Sequence, residues 1–517
     1  MPSQTLLVTR PAATISSLGV RDSTVHPVKG GSVIANGFDG AATSKGEVTA
    51  NGYGQDVSLH NGTVPLQHAL SKLARAGTEQ DYDLVCVGFG PASLAVAIAL
   101  DEAKETFADR QPKLRFVEKQ TQFRWHSGML LPGTKMQISF IKDLASQRNP
   151  CSHFTFLNYL KEHDRLVQFS NLDTFLPSRL EFEDYLSWAA SHFTELVDYG
   201  EEVQHVLPVR STNHGVYDWL EVRSKNLQTG EVKVRRSKKV LIAVGGKPAR
   251  PAVFPSNHPR ILHSSEYSYR IGQVLPVPDQ AYTVAVIGSG QSAAEVFSDL
   301  QSRFPNASTR LIMRDTALRP SDDSPFVNEI FNPEAVDTFY AQPKEARERR
   351  LIRDKATNYS VVRLGLIEKI YEEQYLQGIR QPDRSKWPHQ ILTSREVVEV
   401  TDSADKRLQL TLRTLDGPDA GQTQTVVVDA VVLATGYQRN AHVDMLKDCQ
   451  PINASKDGDW QVERDYSVKL NQSRVAPDVG IWLQGTNERT HGLSDTLLSI
   501  LATRSGEIVQ TMFARTA

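Results

Sequence analysis

Two glycine-rich runs stand out as places where backbone alone could hold a charged ligand: Gly88-Phe89-Gly90-Pro91-Ala92-Ser93 and Gly288-Ser289-Gly290-Gln291-Ser292-Ala293. Glycine at the first two positions permits a tight turn and lets N–H groups approach a pyrophosphate at the positive end of the following helix. Ser93 takes the third position, where a small side chain lets helix and strand pack closely. Glu118 closes the next apolar run, Leu114-Arg115-Phe116-Val117, where an acid accepts two ribose hydroxyls. The plain alternative is a surface acid at a strand end. This first set reads as an FAD site. The second run is followed by a strand, Thr309 to Met313, that ends in Arg314 instead of an acid. An arginine there accommodates a 2′-phosphate, so the second site reads as NADPH in preference to NADH. Asp315 beside it leaves room for some NADH use, and a solvated surface arginine is the plain alternative. Together the two motifs point to a chain that brings a flavin and a nicotinamide to one reaction.

Each run needs a strand before it and a helix after it, and the sequence supplies both. Asp83-Leu84-Val85-Cys86-Val87 is an apolar strand suited to a parallel sheet, a helix follows from Ala92 to about Phe107, and Leu114 to Val117 is the second strand. The unit recurs as strand Thr283 to Ile287, helix Ser292 to Arg303 and strand Thr309 to Met313. Two further strand-plus-turn segments run from Val240 to Gly246 and from Val431 to Gly436, and stretches at Pro248 to Pro255 and Pro276 to Pro278 read as linkers. The expected fold is α/β, with two Rossmann-like dinucleotide-binding domains (FAD and NADPH) and a small helical substrate-binding region. The expected boundaries are a disordered N-terminal tail at 1–80, the FAD domain at 81–248 and 429–517, the NADPH domain at 249–325 and 368–428, and the helical insertion at 326–367. The tail is rich in Ser, Thr, Gly, Asn and Ala, too polar to offset its ordering entropy. Its acid-free, arginine-bearing start has the composition of a transit peptide, though an ordinary tail is the preferred reading.

Composition narrows the function further. The 517 residues hold 58 Lys+Arg against 60 Asp+Glu, a formal charge of −2, which gives no electrostatic footprint for nucleic acid or an anionic membrane. The uncharged stretch from Leu84 to Leu100 contains Gly88, Gly90 and Pro91, which would break a spanning helix, so no membrane segment is expected. Cys86, Cys151 and Cys449 form no C-x-x-C, which argues against a disulfide framework, a zinc site and the redox dithiol of flavin disulfide reductases. A cytoplasmic location follows, with mitochondrial targeting by the tail as the minor alternative.

Longer runs carry a resemblance. Trp125-His126-Ser127-Gly128-Met129, Lys135 to Leu144 (KMQISFIKDL), Ser324 to Glu329 (SPFVNE), Ala356 to Ser360 (ATNYS) and Asn487 to Asp495 (NERTHGLSD) resemble the ornithine N5-monooxygenases of siderophore biosynthesis, which are N-hydroxylating class B flavin monooxygenases. The resemblance spans about Tyr82 to Ile508. It implies that Lys142 holds the α-carboxylate of ornithine, that Asn328 and Asn358 bind its polar ends beside NADP, and that Ser494 lies by substrate and flavin. It further implies that His126, Met136, Gln137 and Leu493 line the flavin, and that Gln291 and Ser292 touch the nicotinamide half of NADPH. The residue types suit these roles, since a zwitterionic amino acid needs a fixed cation and amide donors. Lys142 as a surface lysine beside Asp143, and the asparagines as turn or cap residues, are the plain alternatives. Ser494-Asp495 also has the form of an N-cap for an apolar helix starting near Ser494, with Leu497, Leu498 and Leu501 on one face. Its positive end would face the flavin pyrimidine.

The implied reaction uses NADPH and O2 to convert L-ornithine to N5-hydroxy-L-ornithine through a flavin C4a-hydroperoxide, the first step towards a hydroxamate siderophore. It also implies a homo-oligomer, a homotetramer in the family. No residue is an evident general base for the substrate ammonium. N6-hydroxylation of lysine or another amine is the runner-up, because one methylene shifts binding by only about 1–3 kcal/mol. A nucleotide-binding redox-sensing flavoprotein is the non-enzyme alternative.

Overall fold

The apolar alternation of the first strand decides how the chain layers. Leu84 and Cys86 point to one face of the sheet and Val85 and Val87 to the other, and each pair enters a separate buried cluster. A computed structural model describes residues 81–103, 111–210 and 215–514, together with Leu73 and Phe107. The expected disordered tail and its transit-peptide alternative lie, apart from Leu73, outside the described residues.

The first sheet is ordered Val197–Tyr199, Leu114–Glu118, Asp81–Val87, Val232–Ile242, Tyr217–Asn226, Glu201–Arg210. Its first four strands are parallel, and the last three form an antiparallel meander. Gly480–Leu483 pairs in parallel with the C-terminal end of Val232–Ile242. The helices Pro91–Glu102 and Leu501–Met512 pack on the Leu84/Cys86 face, where their buried aliphatic side chains each contribute about 1.5–3 kcal/mol. Pro91 ends the apolar strand run and starts the helix, because its fixed φ suits a first helical position. The helix stops at Glu102, short of the expected Phe107.

The second sheet repeats the plan with five parallel strands: His389–Leu392, Ser308–Ile312, Thr283–Ile287, Ala430–Leu433 and Ile261–His263. Here too an antiparallel meander, Arg395–Asp402, Leu408–Thr414 and Thr423–Val428, precedes the strand that ends beside the glycine turn. The strand Ala430–Leu433 pairs with Thr283–Ile287, so the chain returns to the first sheet after this strand and not at 429 as the sequence reading had it. The two passages between sheets touch: Lys247–Pro248 pairs antiparallel with Tyr437–Gln438.

Helices Pro325–Asn328, Ala335–Tyr340 and Lys344–Asp354 form an insertion in the second unit. Its base is closed where Arg319–Pro320 pairs with Val361–Val362. The helix Leu364–Arg380 follows, with Ile370 its one buried residue. No helix among the described residues is long and apolar enough to cross a membrane.

Candidate active site

The two glycine turns are built alike. Gly88 has φ +90°, and a Cβ on it would stand 2.7 Å from the Ala243 carbonyl oxygen. Gly288 has φ +143°, and a Cβ on it would stand 2.5 Å from the Ala434 carbonyl oxygen. Both carbonyls belong to the strand-plus-turn segments singled out in the sequence. Gly90 and Gly290 are the N-caps of Pro91–Glu102 and Gln291–Arg303, and no side chain caps either helix. Their first N–H groups are left for a ligand, and at a helix start that ligand is anionic. A Cβ on Gly90 meets nothing within 4 Å, which leaves space for a group laid across the turn. Buried Ser93 has a hydroxyl without a partner among the described residues. Glu118, at the end of its strand, accepts the Phe89 N–H through Oε2 at 2.7 Å and the Gln120 N–H through Oε1 at 2.9 Å. Each oxygen keeps a lone pair for a sugar hydroxyl. An uncapped helix start, an open glycine and a carboxylate aimed at the turn fit a dinucleotide.

At the second turn the chain itself comes close. A Cβ on Gly290 would lie 3.5 Å from Ser360 Cα, so the segment carrying Asn358 crosses the nucleotide turn. Gln291 is engaged within the protein: its Nε2 donates to Glu295 Oε1 at 2.8 Å and its Oε1 accepts the Arg363 N–H at 2.9 Å. One N–H of that amide remains, and Ser292, half-buried, makes no side-chain hydrogen bond among the described residues. Arg314 is exposed and without an ion pair among the described residues, whereas Asp315 is held by Arg319 at 3.0 Å. The neighbouring acid is thus occupied, and Arg314 is free to meet a phosphate.

The segments that carry Asn358 and Ser494 are tied together. Tyr359 donates to Glu488 at 2.5 Å and lies 3.4 Å from Thr496 Oγ1, which ties the Asn358 segment to the Leu493–Thr496 turn. Leu493 and Ser494 are buried. Gly492 has φ +85°, and a Cβ on it would touch the Phe339 ring at 3.5 Å. Asn328 donates from Nδ2 to the Asp323 carbonyl at 2.7 Å, and its amide oxygen has no partner among the described residues. It stands two residues before Ile330, which with Phe339, His491, Gly492 and Leu493 lines a small cavity.

The expected N-cap at Ser494-Asp495 is not one. The long helix begins at Leu501, and Leu493–Thr496 is a separate single turn, so no helix from Ser494 points at a flavin. Asp495 is instead fully buried, paired with Arg504 at 3.0 Å and accepting the Asn487 N–H at 2.7 Å. That pair fixes the turn bearing Ser494.

Lys142 is presented by a rigid loop. Asp143 accepts the N–H groups of Ala145, Ser146 and Phe156 and the Ser146 hydroxyl, and Tyr185 accepts the Leu144 N–H. Asp143 is therefore spent on backbone, and Lys142 makes no ion pair among the described residues. Half-buried, it has its ammonium pushed down by burial. No hydrogen bond or ion pair among the described residues joins it to Asn328, Asn358 or Ser494.

Met136 is buried and Gln137 exposed. His126 adopts φ 48°, and its ring stands edge-on to Tyr437 at 5.9 Å. Crowding by protein, then the Arg179 and Arg439 guanidiniums, hold its imidazole down to about 4, so it is neutral. Arg179 is a residue the sequence did not reveal. It forms a two-point ion pair with Glu295 at 2.8 Å, and donates to the Met129 carbonyl at 3.0 Å. Through Gln291 this pair links the second glycine motif to the His126–Met129 segment. Partners 116 residues apart leave no local signal.

Comparisons with known proteins identify the family. A family model described as L-lysine 6-monooxygenase/L-ornithine 5-monooxygenase matches residues 80–439. The L-ornithine N(5)-monooxygenase of Emericella nidulans is 52% identical over 460 residues, covering 86% of this chain and 92% of that protein. The solved ornithine hydroxylase from Pseudomonas aeruginosa is 40% identical with a TM-score of 0.76, covering 84% of this chain and 98% of that one. The Kutzneria sp. 744 ornithine N-hydroxylase, with reduced FAD, NADP+ and L-ornithine, is 34% identical with a TM-score of 0.76, covering 84% and 100%. On its two glycine turns, its substrate-type motifs and these matches, the chain belongs to the L-lysine 6-monooxygenase/L-ornithine 5-monooxygenase family.

Proposed function

We propose that this protein is an L-ornithine N5-monooxygenase, which hydroxylates the side-chain amine of L-ornithine with NADPH and O2 at the head of hydroxamate siderophore assembly. The observation that carries the reading is the crossing of the Asn358–Ser360 segment over the second glycine turn, pinned by Tyr359 to the turn that holds Ser494. Substrate-type and nucleotide-type residues then share one wall. The names of the relatives, ornithine enzymes at 52% and 40% identity, favour ornithine over lysine.

When bound, FAD supplies reduction by the nicotinamide and activation of oxygen. The first glycine turn, Gly88 and Gly90, with Ser93 and Glu118 would hold it, while His126, Met136, Gln137 and Leu493 would line it. Gly288, Gly290, Gln291, Ser292 and Arg314 would hold NADPH. Lys142 takes the α-carboxylate of ornithine, since an unpaired, half-buried ammonium on a rigid loop gains most from a carboxylate partner. Asn328 and Asn358 supply amide groups for the remaining polar atoms, and Ser494 a hydroxyl beside them. The neutral His126 adds no charge to the flavin side. Buried Leu493, with Phe339 against Gly492, keeps water from the wall where the amine must react.

The reading extends to a cytoplasmic homo-oligomer. The buried free thiols Cys86 and Cys449 suit a reducing compartment. The helix Leu364–Arg380 exposes Tyr371, Tyr375 and Ile379 along one side, a face suited to a second copy. The test of the activity is product analysis on FAD-loaded protein with NADPH and O2, comparing ornithine, lysine and no amine. Hydroxylamine matched to NADPH consumed with ornithine alone supports it; peroxide alone under every condition overturns it.

A further inference from the structure

The reaction requires an uncharged amine, yet a free alkylammonium titrates near ~10.4. We propose that Glu488, acting through the phenol of Tyr359, takes the proton from the substrate ammonium. This rests on the reading of Asn358 and Ser494 as substrate-side residues. Tyr359 follows Asn358 in the chain, and Glu488 opens the helix Glu488–His491 that leads into Leu493-Ser494. The 2.5 Å hydrogen bond between them spans the two segments.

The other enclosed acids near this wall are occupied, and Glu329, beside Asn328, is exposed to solvent. Asp143 is spent on backbone N–H groups and a serine hydroxyl. Asp495 pairs with Arg504, Glu295 with Arg179, and Asp354 with Arg350 and Arg353. His491 uses both ring nitrogens, on Thr490 and on the Arg464 carbonyl. Among the described residues Glu488 meets no cation, and its Oε1 has no hydrogen-bond partner. It is half-buried, so a proton taken there can leave to solvent.

The charged groups around the pair come from several elements. On its own helix, Arg489 is exposed and His491 is neutral, held down to about 4 by burial. The helix Lys344–Asp354 brings Arg347, on the Tyr340 and Gln342 carbonyls, and the Asp354 ion pairs; its Lys344, Glu345, Glu348 and Arg349 are exposed. The helix Ala335–Tyr340 brings Asp337, held by Arg464, and Tyr340 beside Glu463. Lys355 Nζ lies 5.2 Å from the Tyr359 ring centroid, and Arg439 acts on the phenol from the second crossover. Burial and then the Glu488 carboxylate push the phenol up to about 12, with Arg439 acting the other way, so Tyr359 relays the proton as a neutral phenol and holds no lasting charge.

In the step, an ammonium N–H bond breaks and an O–H bond forms at Tyr359 Oη. The phenol's own O–H bond breaks as its proton moves to Glu488 Oε2. A cation and an anion become a neutral amine and a neutral acid. In water an alkylammonium and a carboxylic acid differ by about six pKa units, and enclosing the ammonium in the site narrows that gap.

The test measures kcat/KM for ornithine from pH 6 to 10 with FAD-loaded wild type, E488Q, Y359F and the double variant. Alongside it, calorimetry of ornithine binding to the FAD- and NADP+-loaded proteins, in two buffers of different ionisation enthalpy, counts the protons released. The expected result is an acid limb moved up by one pH unit or more and a tenfold or greater loss at pH 7. Rates should converge with wild type at high pH, proton release should fall, and the double variant should be no worse than either single one. A loss equal at every pH, or none, with wild-type proton release, overturns the proposal while leaving the assigned reaction intact. Wild type that hydroxylates no ornithine overturns the assigned reaction itself. Should E488Q not fold, Y359F carries the same measurement.

Discussion

Ser360 lies across the second glycine turn so closely that a Cβ on Gly290 would stand 3.5 Å from its Cα. Ser360 reaches that place with φ +59°, immediately before the strand Val361–Val362 that closes the insertion. The insertion is thereby closed at its base by a two-stranded sheet of its own and held at its inner edge against the nucleotide turn. Its contacts with the Leu493–Thr496 turn then bring the C-terminal motif to the same wall.

The twin glycines should fail in different ways. Gly88→Ala puts a Cβ 2.7 Å from the Ala243 carbonyl oxygen in a left-handed conformation, so backbone must move. The conformation alone costs about 1–3 kcal/mol. We expect FAD to be lost on purification, read as the flavin-to-protein absorbance ratio. Gly288→Ala should retain FAD and lose flavin reduction by NADPH, read by anaerobic stopped flow. Equal FAD retention in both variants would contradict the assignment of the two turns.

Much of this architecture was legible in the sequence because the signals are local. Strand, glycine pair and helix sit within some twenty residues, and Glu118 and Arg314 follow at the next strand end. The antiparallel meanders and the return of Ala430–Leu433 to the second sheet were not legible, since strand pairing is a long-range choice. Asp495 misled for a physical reason: Ser-Asp before an apolar run is what a cap looks like, but Arg504 offered a buried partner nine residues on. Glu488 carries no local signal as a base, because its relation to Tyr359 spans 129 residues.

Arg314 should set the nicotinamide preference. Exposed and without an ion pair among the described residues, it can meet a 2′-phosphate, while Arg319 keeps Asp315 occupied. Arg314→Ala removes a charge-assisted contact worth about 1.5–3 kcal/mol. The expected outcome is a KM for NADPH raised about tenfold or more, with the KM for NADH nearly unchanged. A parallel rise for both cofactors would assign Arg314 to the shape of the turn instead.

Lys142 should matter to ornithine and to nothing earlier. Its loop is held by Asp143 and Tyr185, so Lys142→Met keeps the loop and removes the charge. We expect the KM for ornithine to rise about 10- to 100-fold, in line with about 1.5–3 kcal/mol for a hydrogen bond to a charged group. The rate of flavin reduction by NADPH in single turnover should stay within twofold or so of wild type, on the view that reduction precedes any use of the amino-acid carboxylate. Slowed reduction would place Lys142 on the nucleotide side.

Acid stability should carry the signature of His491. The side chain is buried, stacked on Tyr466 at 4.2 Å, and held down to about 4 by burial. An unfolded histidine titrates near ~6.5, so between these values the unfolded chain binds the proton that the folded one refuses. Its contribution is therefore complete above about pH 6.5 and is lost progressively as pH falls towards 4. At pH 5 the loss is about 2 kcal/mol, at about 1.36 kcal/mol per pH unit below the unfolded value. His389, also held down to about 4, acts in the same direction, so the comparison must be with a variant and not with theory. His491→Gln should start less stable at pH 7, having lost the ring stack. It should then lose about 2 kcal/mol less than wild type between pH 7 and pH 5, read from urea unfolding at each pH. Parallel losses in the two proteins would mean that the folded structure opens around His491 and protonates it without cost.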